Sequence, residues 1–378
     1  MTVFSLQIFT VNRMDWLMAV LDWYGRTVHP PLVLVLCIAG AIGHLFTITT
    51  LHTMLNPTNA LLISMSCSQV LLCANFLYTT LFKWASDELC IPFFFSEWMA
   101  RTMHLSVTLS TLLHMSGVFH VVALSIVRYL SLKKLSRANN NVPWFTYKVM
   151  KRIVIIIYCS VFIICIPLFF TSDVVMLPEK GDCVSRFPSL HGRQSYELAY
   201  TSNHFLIQFN FWLFTIADKI GPSIVLCLMT RLMLQKLQEV RELSARFTTI
   251  KRDKQHHRTT MMILVIMFMF IVVELPQGIL AVLQTLGIMD LFSQLGDINE
   301  MITLLTSCVI FALFCSTSGK VRSALIDTPC MRFMQRATDR SISTRLTIRR
   351  GSAKDKHLLE VVLPEAQKNN NNHDYVQV

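Results

Sequence analysis

RTTMMILVIMFMFIVVELPQGILAVL, residues 258–283, is the stretch on which the fold turns. It opens on Arg258-Thr259-Thr260, runs apolar from Met261 to Val273, and then carries Glu274-Leu275-Pro276-Gln277-Gly278 without losing its apolar character. A helix needs roughly 20 mainly apolar residues to cross the hydrocarbon core of a bilayer, so the run is long enough to span one. A carboxylate inside such a run is costly unless it is paired or faces water, which marks Glu274 as a functional position.

Six other runs share that length and character, at 31–51, 58–82, 103–126, 153–171, 205–229 and 300–316, with the present one at 260–283. The chain of 378 residues is 53% hydrophobic and only 15% charged, which leaves too little polar chain to wrap seven such segments in a soluble core. The fold class expected is an all-α membrane protein, a seven-transmembrane helix bundle at 31–318. An amino-terminal segment at 1–30 precedes it and a tail at 319–378 follows. The first 30 residues show no basic head, apolar centre and small-residue cleavage site of a secretory leader, so the first span is expected to act as its own insertion signal.

Basic residues in short loops resist translocation and so report orientation. Residues 128–152 hold seven of them (Arg128, Lys133, Lys134, Arg137, Lys148, Lys151 and Arg152) and no acid, and 231–258 hold eight against Glu239, Glu242 and Asp253. The opposite loops and the amino terminus carry twelve acids, among them Asp22, Asp87, Glu88, Asp182, Asp297 and Glu300. The expected arrangement is a multi-pass plasma-membrane protein with its amino terminus outside and its carboxyl terminus in the cytoplasm. The net charge of +11 then lies on one side. Short basic loops between spans meet anionic lipid headgroups, which removes nucleic acid as a partner and makes membrane lipids one.

Eight of the 11 cysteines lie in spans, where a thiol serves as a small apolar filler. Cys90 and Cys183 fall in two loops on the acidic side, in the oxidising compartment, and a bridge between them is the economical reading. Cys330 follows a short stretch, 320–326, in which Val321 and Leu325 share a helical face. That stretch is expected to be a short amphipathic helix and Cys330 a palmitoylation candidate, with an unmodified thiol as the alternative.

Arg128-Tyr129 at the inner end of the third span, with Pro167, Pro222 and Pro276 in the fourth, fifth and sixth, resembles the rhodopsin-like G-protein-coupled receptors over residues 31–330. Arg258-Thr259-Thr260 with Glu274-Leu275-Pro276-Gln277-Gly278, and Phe211-Trp212 with Lys219 three residues before Pro222, look like the myosuppressin and FMRFamide-like neuropeptide receptors. The resemblance implies a heterotrimeric G protein as partner, with Arg128 and Tyr129 at the coupling mouth, and a peptide ligand ending in Arg-Phe-amide. Each proline removes a helical hydrogen bond and is expected to kink its span. The chain departs from that family at several buried polar positions. His44, Gln69, Val127, Ile310 and Phe314 stand where the pattern usually has Asn, Asp, an acid, Asn and Tyr. The buried polar network is expected to be largely dismantled. Gln69 lacks the charge that helps hold a sodium ion in such receptors, so no sodium dependence of affinity is expected.

Asp218, Lys219 and Glu274 are intramembrane ionisable residues and hence the leading pocket candidates. Lys219 and Glu274 are each a short way outward of a proline, at similar depth, and are expected to form an ion pair or a split polar floor beneath the peptide. Asp218 and Lys219 are neighbours, and on an α-helix adjacent side chains diverge by roughly 100 degrees, so the two are not expected to face one point. His114 and Gln277 are expected to line the same cavity, Phe211 and Trp212 to wall it, and His104 and His120 to be satisfied core histidines. The acidic outer surface suits a cationic ligand by steering.

The polar tail beyond 327 is expected to be disordered, and its last residues, Tyr375-Val376-Gln377-Val378, are a candidate strand for a PDZ-type partner. No metal-spacing His/Cys set, phosphate loop or embedded nucleophile motif points to an enzyme, and no cofactor is expected. The favoured function is a peptide receptor acting through a G protein. A divergent receptor that no longer signals is the alternative. A channel or transporter is less favoured because the halves show no internal repeat.

Overall fold

A backbone in hydrocarbon has no water to bond, so it must satisfy its own N–H and C=O groups, and helix is the form open to a single run. In a computed structural model of the chain the described residues are 16, 18–135, 145–178, 180–246, 250–286 and 292–317. They contain seven helices long and apolar enough to cross a membrane. These are α1 (Met18–His52), α2 (Pro57–Glu88), α3 (Glu97–Leu135), α4 (Tyr147–Phe170), α5 (His204–Arg246), α6 (Ile250–Thr285) and α7 (Phe292–Thr317). The helix expected after the seventh span, Cys330, the tail and the terminal PDZ candidate lie outside the described residues.

Helix starts follow local chemistry. Asn56 caps α2 by accepting a hydrogen bond from the Asn59 backbone N–H at 2.9 Å, and Pro57 takes the first helical position, where no N–H is needed. Asn203 caps α5 in the same way, through the Leu206 N–H. The first helix begins 13 residues before the expected start at 31, more than three turns into the chain's amino-terminal segment, because Met18–Val28 continues it through a π-helical turn at Tyr24–Val28.

Apolar residues divide between two environments. Leu61, Met65, Leu124, Leu226, Met233, Ile263, Ile266 and Met267 are fully buried between helices, and Ile155, Ile156, Phe162, Ile163, Ile224, Phe268, Val272 and Ile279 point outward. A soluble protein rarely carries so extended an apolar exterior, and a lipid-facing bundle requires one. The chain is a multi-pass membrane protein. α4 shows this most strongly, with few of its side chains turned toward its neighbours.

At one end of the bundle, β1 (Ser172–Leu177) and β2 (Ser195–Tyr200) form an antiparallel hairpin in which Ser172 pairs with Tyr200 and Leu177 with Ser195. A short helix between them, Gly181–Arg186, carries Cys183, which is joined by a disulfide to Cys90 after α2. Lys180 contacts Ser86 and Asp87, and Arg186 contacts Glu88, so charge pairing accompanies the covalent tie. This is the disulfide end of the bundle; Arg128 lies toward the other.

α5 is not uniform. His204–Phe214 is α-helical, Thr215–Ile220 is π-helical, and the α form resumes at Gly221. The cause is local. Pro222 has no N–H to donate and its ring clashes with the carbonyl four residues back. The helix widens by one residue, and the Gly221 N–H reaches the Ile216 carbonyl instead. Only glycine fits there, since a Cβ on residue 221 would stand 2.7 Å from that oxygen. The other two prolines act differently: Pro276 lies inside continuous α-helix, and Pro167 sits in the 3-10 turn, Ile166–Phe170, that ends α4.

Candidate functional site

The widened turn of α5 brings Asp218 and Lys219 to one point, against the expectation of divergence. Lys219 Nζ lies 2.6 Å from Glu274 Oε2 on α6, 3.2 Å from Asp218 Oδ2 and 2.9 Å from His114 Nε2 on α3. His114 Nε2 is in turn 3.3 Å from Glu274 Oε1 and 3.8 Å from Asp218 Oδ2. The 100-degree rule holds for an α-helix. A π turn has more residues per revolution and narrows the angle between neighbours, and the four-carbon lysine stem covers the remainder.

Asp218 and Glu274 are 4% and 2% exposed, so the cluster is almost dry. Two carboxylates face one ammonium, so Lys219 by itself balances only one of them. A buried charge without full compensation is expensive, and the structure compensates here only in part. His114, Asp218 and Glu274 offer three ligand atoms within 4.8 Å of one another, as a metal would require, but Lys219 already places its cation among them.

Above the cluster opens a cavity of about 410 Å³. His114, Asp218, Lys219 and Gln277 form its charged and polar floor, with Thr215 beside them. Phe76, Leu168, Ile207, Phe211, Phe214 and Ala281 wall it. Four buried polar atoms on residues that line this cavity have no hydrogen-bond partner among the described residues: Asp218 Oδ1, Asn210 Oδ1, Gln277 Nε2 and Glu300 Oε1. Buried polar groups are rarely left unpaired in proteins, and a set of three acceptors and one donor around one cavity is the chemistry of a recognition site.

Other sequence-selected residues lie elsewhere. Glu274 is beneath the floor rather than on it, and touches the cavity only through Lys219 and His114. Trp212 is half-buried but does not line the cavity. Residues that the sequence reading passed over do line it: Asn210, Ser110, Thr111, Asn299 and Glu300. The signal for Asn210 was present, since Asn210, Phe214 and Asp218 recur every four residues along one face of an apolar span.

Toward the other end, Val127 is buried and Arg128 is half-buried, with Nε of Arg128 unpartnered among the described residues. Tyr129 packs on the apolar core formed by α2, α3, α5 and α6. The polar network is rebuilt rather than dismantled. His44 Nε2 is 3.0 Å from Ser307 Oγ and 3.2 Å from the Ser307 carbonyl, tying α1 to α7. His120 bonds Ser64 and the Ser116 carbonyl, while Ser68 meets Tyr158, linking α2, α3 and α4. His120 is therefore a satisfied core histidine. His104 is not, because its buried Nε2 lacks a partner among the described residues.

With this geometry in view, comparison with known proteins gives the class. The family model of the serpentine type 7TM GPCR chemoreceptor Srw matches residues 29–331. The "G-protein coupled receptor dmsr-1" of Caenorhabditis elegans is 27% identical over 397 aligned positions, which cover 90% of this chain and 77% of that protein. The chain belongs to the Srw family of seven-helix G-protein-coupled receptors. It is a receptor rather than an enzyme, with an extracellular ligand and a G protein as partners.

Proposed function

Taking Srw membership as the premise, we propose that this receptor recognises an amidated peptide of the FMRFamide or myosuppressin-like type, ending in Arg-Phe-amide, and passes that binding to a heterotrimeric G protein. The observation that carries the reading is Asp218 Oδ1, a nearly dry carboxylate oxygen on a cavity-floor residue, without a partner among the described residues. A guanidinium donates to such an oxygen in a fixed, charge-assisted geometry. Gln277 Nε2 and Asn210 Oδ1 supply the donor and acceptor that a terminal carboxamide needs, and Phe211 and Phe214 offer faces to an aromatic ring. Asp218 thus takes the ligand-facing role that the sequence pointed toward Glu274, and Glu274 holds Lys219 in place.

In this reading the disulfide end faces outward and Arg128 and Tyr129 line the inner mouth. The proline-widened turn of α5 lies between them. Binding at Asp218 changes the balance of carboxylates around Lys219, which touches both α5 and α6 and so couples the cavity to the relative placement of those helices. Pro222 and Pro276 are the bends about which their inner ends swing.

The test is Asp218→Asn, which keeps the shape and removes the charge. Loss of one charge-assisted hydrogen bond predicts a drop in potency of an Arg-Phe-amide peptide on the order of 10- to 100-fold, read by G-protein exchange at equal surface expression. The same peptide with citrulline for arginine loses potency on the parent receptor and no further on the variant. Equal responses of the two receptors to the arginine peptide would exclude Asp218 as the cation's partner.

A further inference from the structure

A second cluster of titratable side chains stands apart from the one at the cavity floor, where α1 and α7 meet at the disulfide end. His29 Nε2 lies 3.8 Å from Asp297 Oδ1 and 3.8 Å from Glu300 Oε2, and one ligand atom from each of the three residues falls within 4.8 Å of the others. The donor types match those at the floor: one imidazole and two carboxylates. The cation does not. Among the described residues, Asp297 and Glu300 have no lysine or arginine within ion-pair distance, whereas Lys219 sits inside the other cluster.

We propose that His29, Asp297 and Glu300 form a binding site for a divalent transition-metal ion of the zinc class. Two ligand atoms, each about 2.0–2.2 Å from a tetrahedral zinc, stand roughly 3.3–3.5 Å apart. The observed 3.8 Å separations are too long for hydrogen bonds and only a few tenths of an ångström wider than that spacing. Small rotations of the carboxylates close the difference. An imidazole among the donors favours zinc over calcium or magnesium, and three protein ligands leave a fourth position for water.

A second observation points the same way. His29 is 6% exposed, its Nε2 meets the two carboxylates only at 3.8 Å, and Oε1 of Glu300 is buried without a partner among the described residues. A buried imidazole nitrogen that faces two carboxylates at non-bonding distance gains a direct partner on that side when a cation joins them. The backbone supports the placement. The π-helical turn Tyr24–Val28 delivers His29, the Tyr24 ring leans on the imidazole with centroids 5.9 Å apart, and Gly25 clears space for Asp297, since a Cβ there would stand 2.6 Å from Oδ2. Glu300 also lines the ligand cavity, so an ion held there joins α1 to α7 and reduces the negative charge at the cavity wall.

The full-length receptor, purified into lipid nanodiscs and stripped with chelator, is titrated with zinc by equilibrium dialysis and with cobalt(II) by visible absorption. One ion per receptor and the intense d–d bands of four-coordinate cobalt are expected. His29→Gln, and separately the more exposed Asp297→Asn, each weaken binding by no less than about tenfold, while both variants keep the metal-free melting temperature of the parent. Stoichiometric binding that survives in both variants, or that disappears only in His114→Gln, would place the ion elsewhere and overturn the proposal. Absence of saturable binding at millimolar zinc would also overturn it. None of these readouts uses a peptide, so they stand or fall separately from the ligand assignment.

Discussion

α6 passes through two different interiors along a single face. Ile263, Ile266, Met267 and Phe270 face a dry apolar core shared with α2, α3 and α5. One turn further on, the same stripe presents Glu274 and then Gln277 to the charged cluster and the cavity. The spacing of the stripe does not change; only its chemistry does. The half of the bundle nearer Arg128 is held by shape, and the half nearer the disulfide is held by charge that is not fully balanced. A receptor needs both, a stiff core and a region in which a ligand alters the balance of forces.

The contrast is broken most directly at Lys219. Removing one partner of a buried charge cluster leaves the others uncompensated, so Lys219→Met is expected to lower stability by about 3–5 kcal/mol. Replacing Asp218 by Asn and Glu274 by Leu as well, so that no buried carboxylate is left without its cation, is expected to recover most of that loss. Thermal unfolding of the detergent-solubilised receptor measures both. A single variant as stable as the parent would mean that the cluster is not held by charge.

Ile266→Ala probes the other half. Removing a fully buried aliphatic side chain costs about 2–5 kcal/mol, depending on how far the cavity collapses. Surviving Ile266→Ala receptors are expected to keep their ligand potency at equal surface density, because residue 266 is remote from the cavity lining. A potency loss comparable with that expected of Asp218→Asn would show that the two halves are less separable than the contrast implies.

Ser307→Ala is the mildest intervention. His44 keeps the Ser307 carbonyl at 3.2 Å when the hydroxyl is gone, and hydrogen bonds between membrane helices contribute about 0.6 kcal/mol on average. A small shift in melting temperature is expected. A large one would make the α1–α7 polar contact a main determinant of the bundle's stability.

Much of this was legible in the sequence, for physical reasons. Seven apolar runs are visible because hydrocarbon tolerates nothing else over roughly 20 residues. Glu274 and Lys219 stood out because ionisable groups are rare in such runs. The divergence expected of Asp218 and Lys219 failed because the rule assumed α geometry throughout. Pro222 and Gly221 carried the hint of a π turn, but a hint of widening does not say where the displaced side chains land. His29, Asp297 and Glu300 passed unremarked as a set because 268 residues separate the first from the second, and no local spacing signals such a meeting.

By itself, then, the sequence determined that this protein is a helical bundle in a membrane, and it singled out the charges that had to find partners there. Solvent decides such matters, and solvent preference is written residue by residue. Only the tertiary structure decided which charge met which. It placed Asp218 at the cavity and Glu274 beneath it, and it brought a histidine of the first helix to two acids of the seventh. Those outcomes depend on helix phase and on two widened turns, which a shift of a single residue would alter.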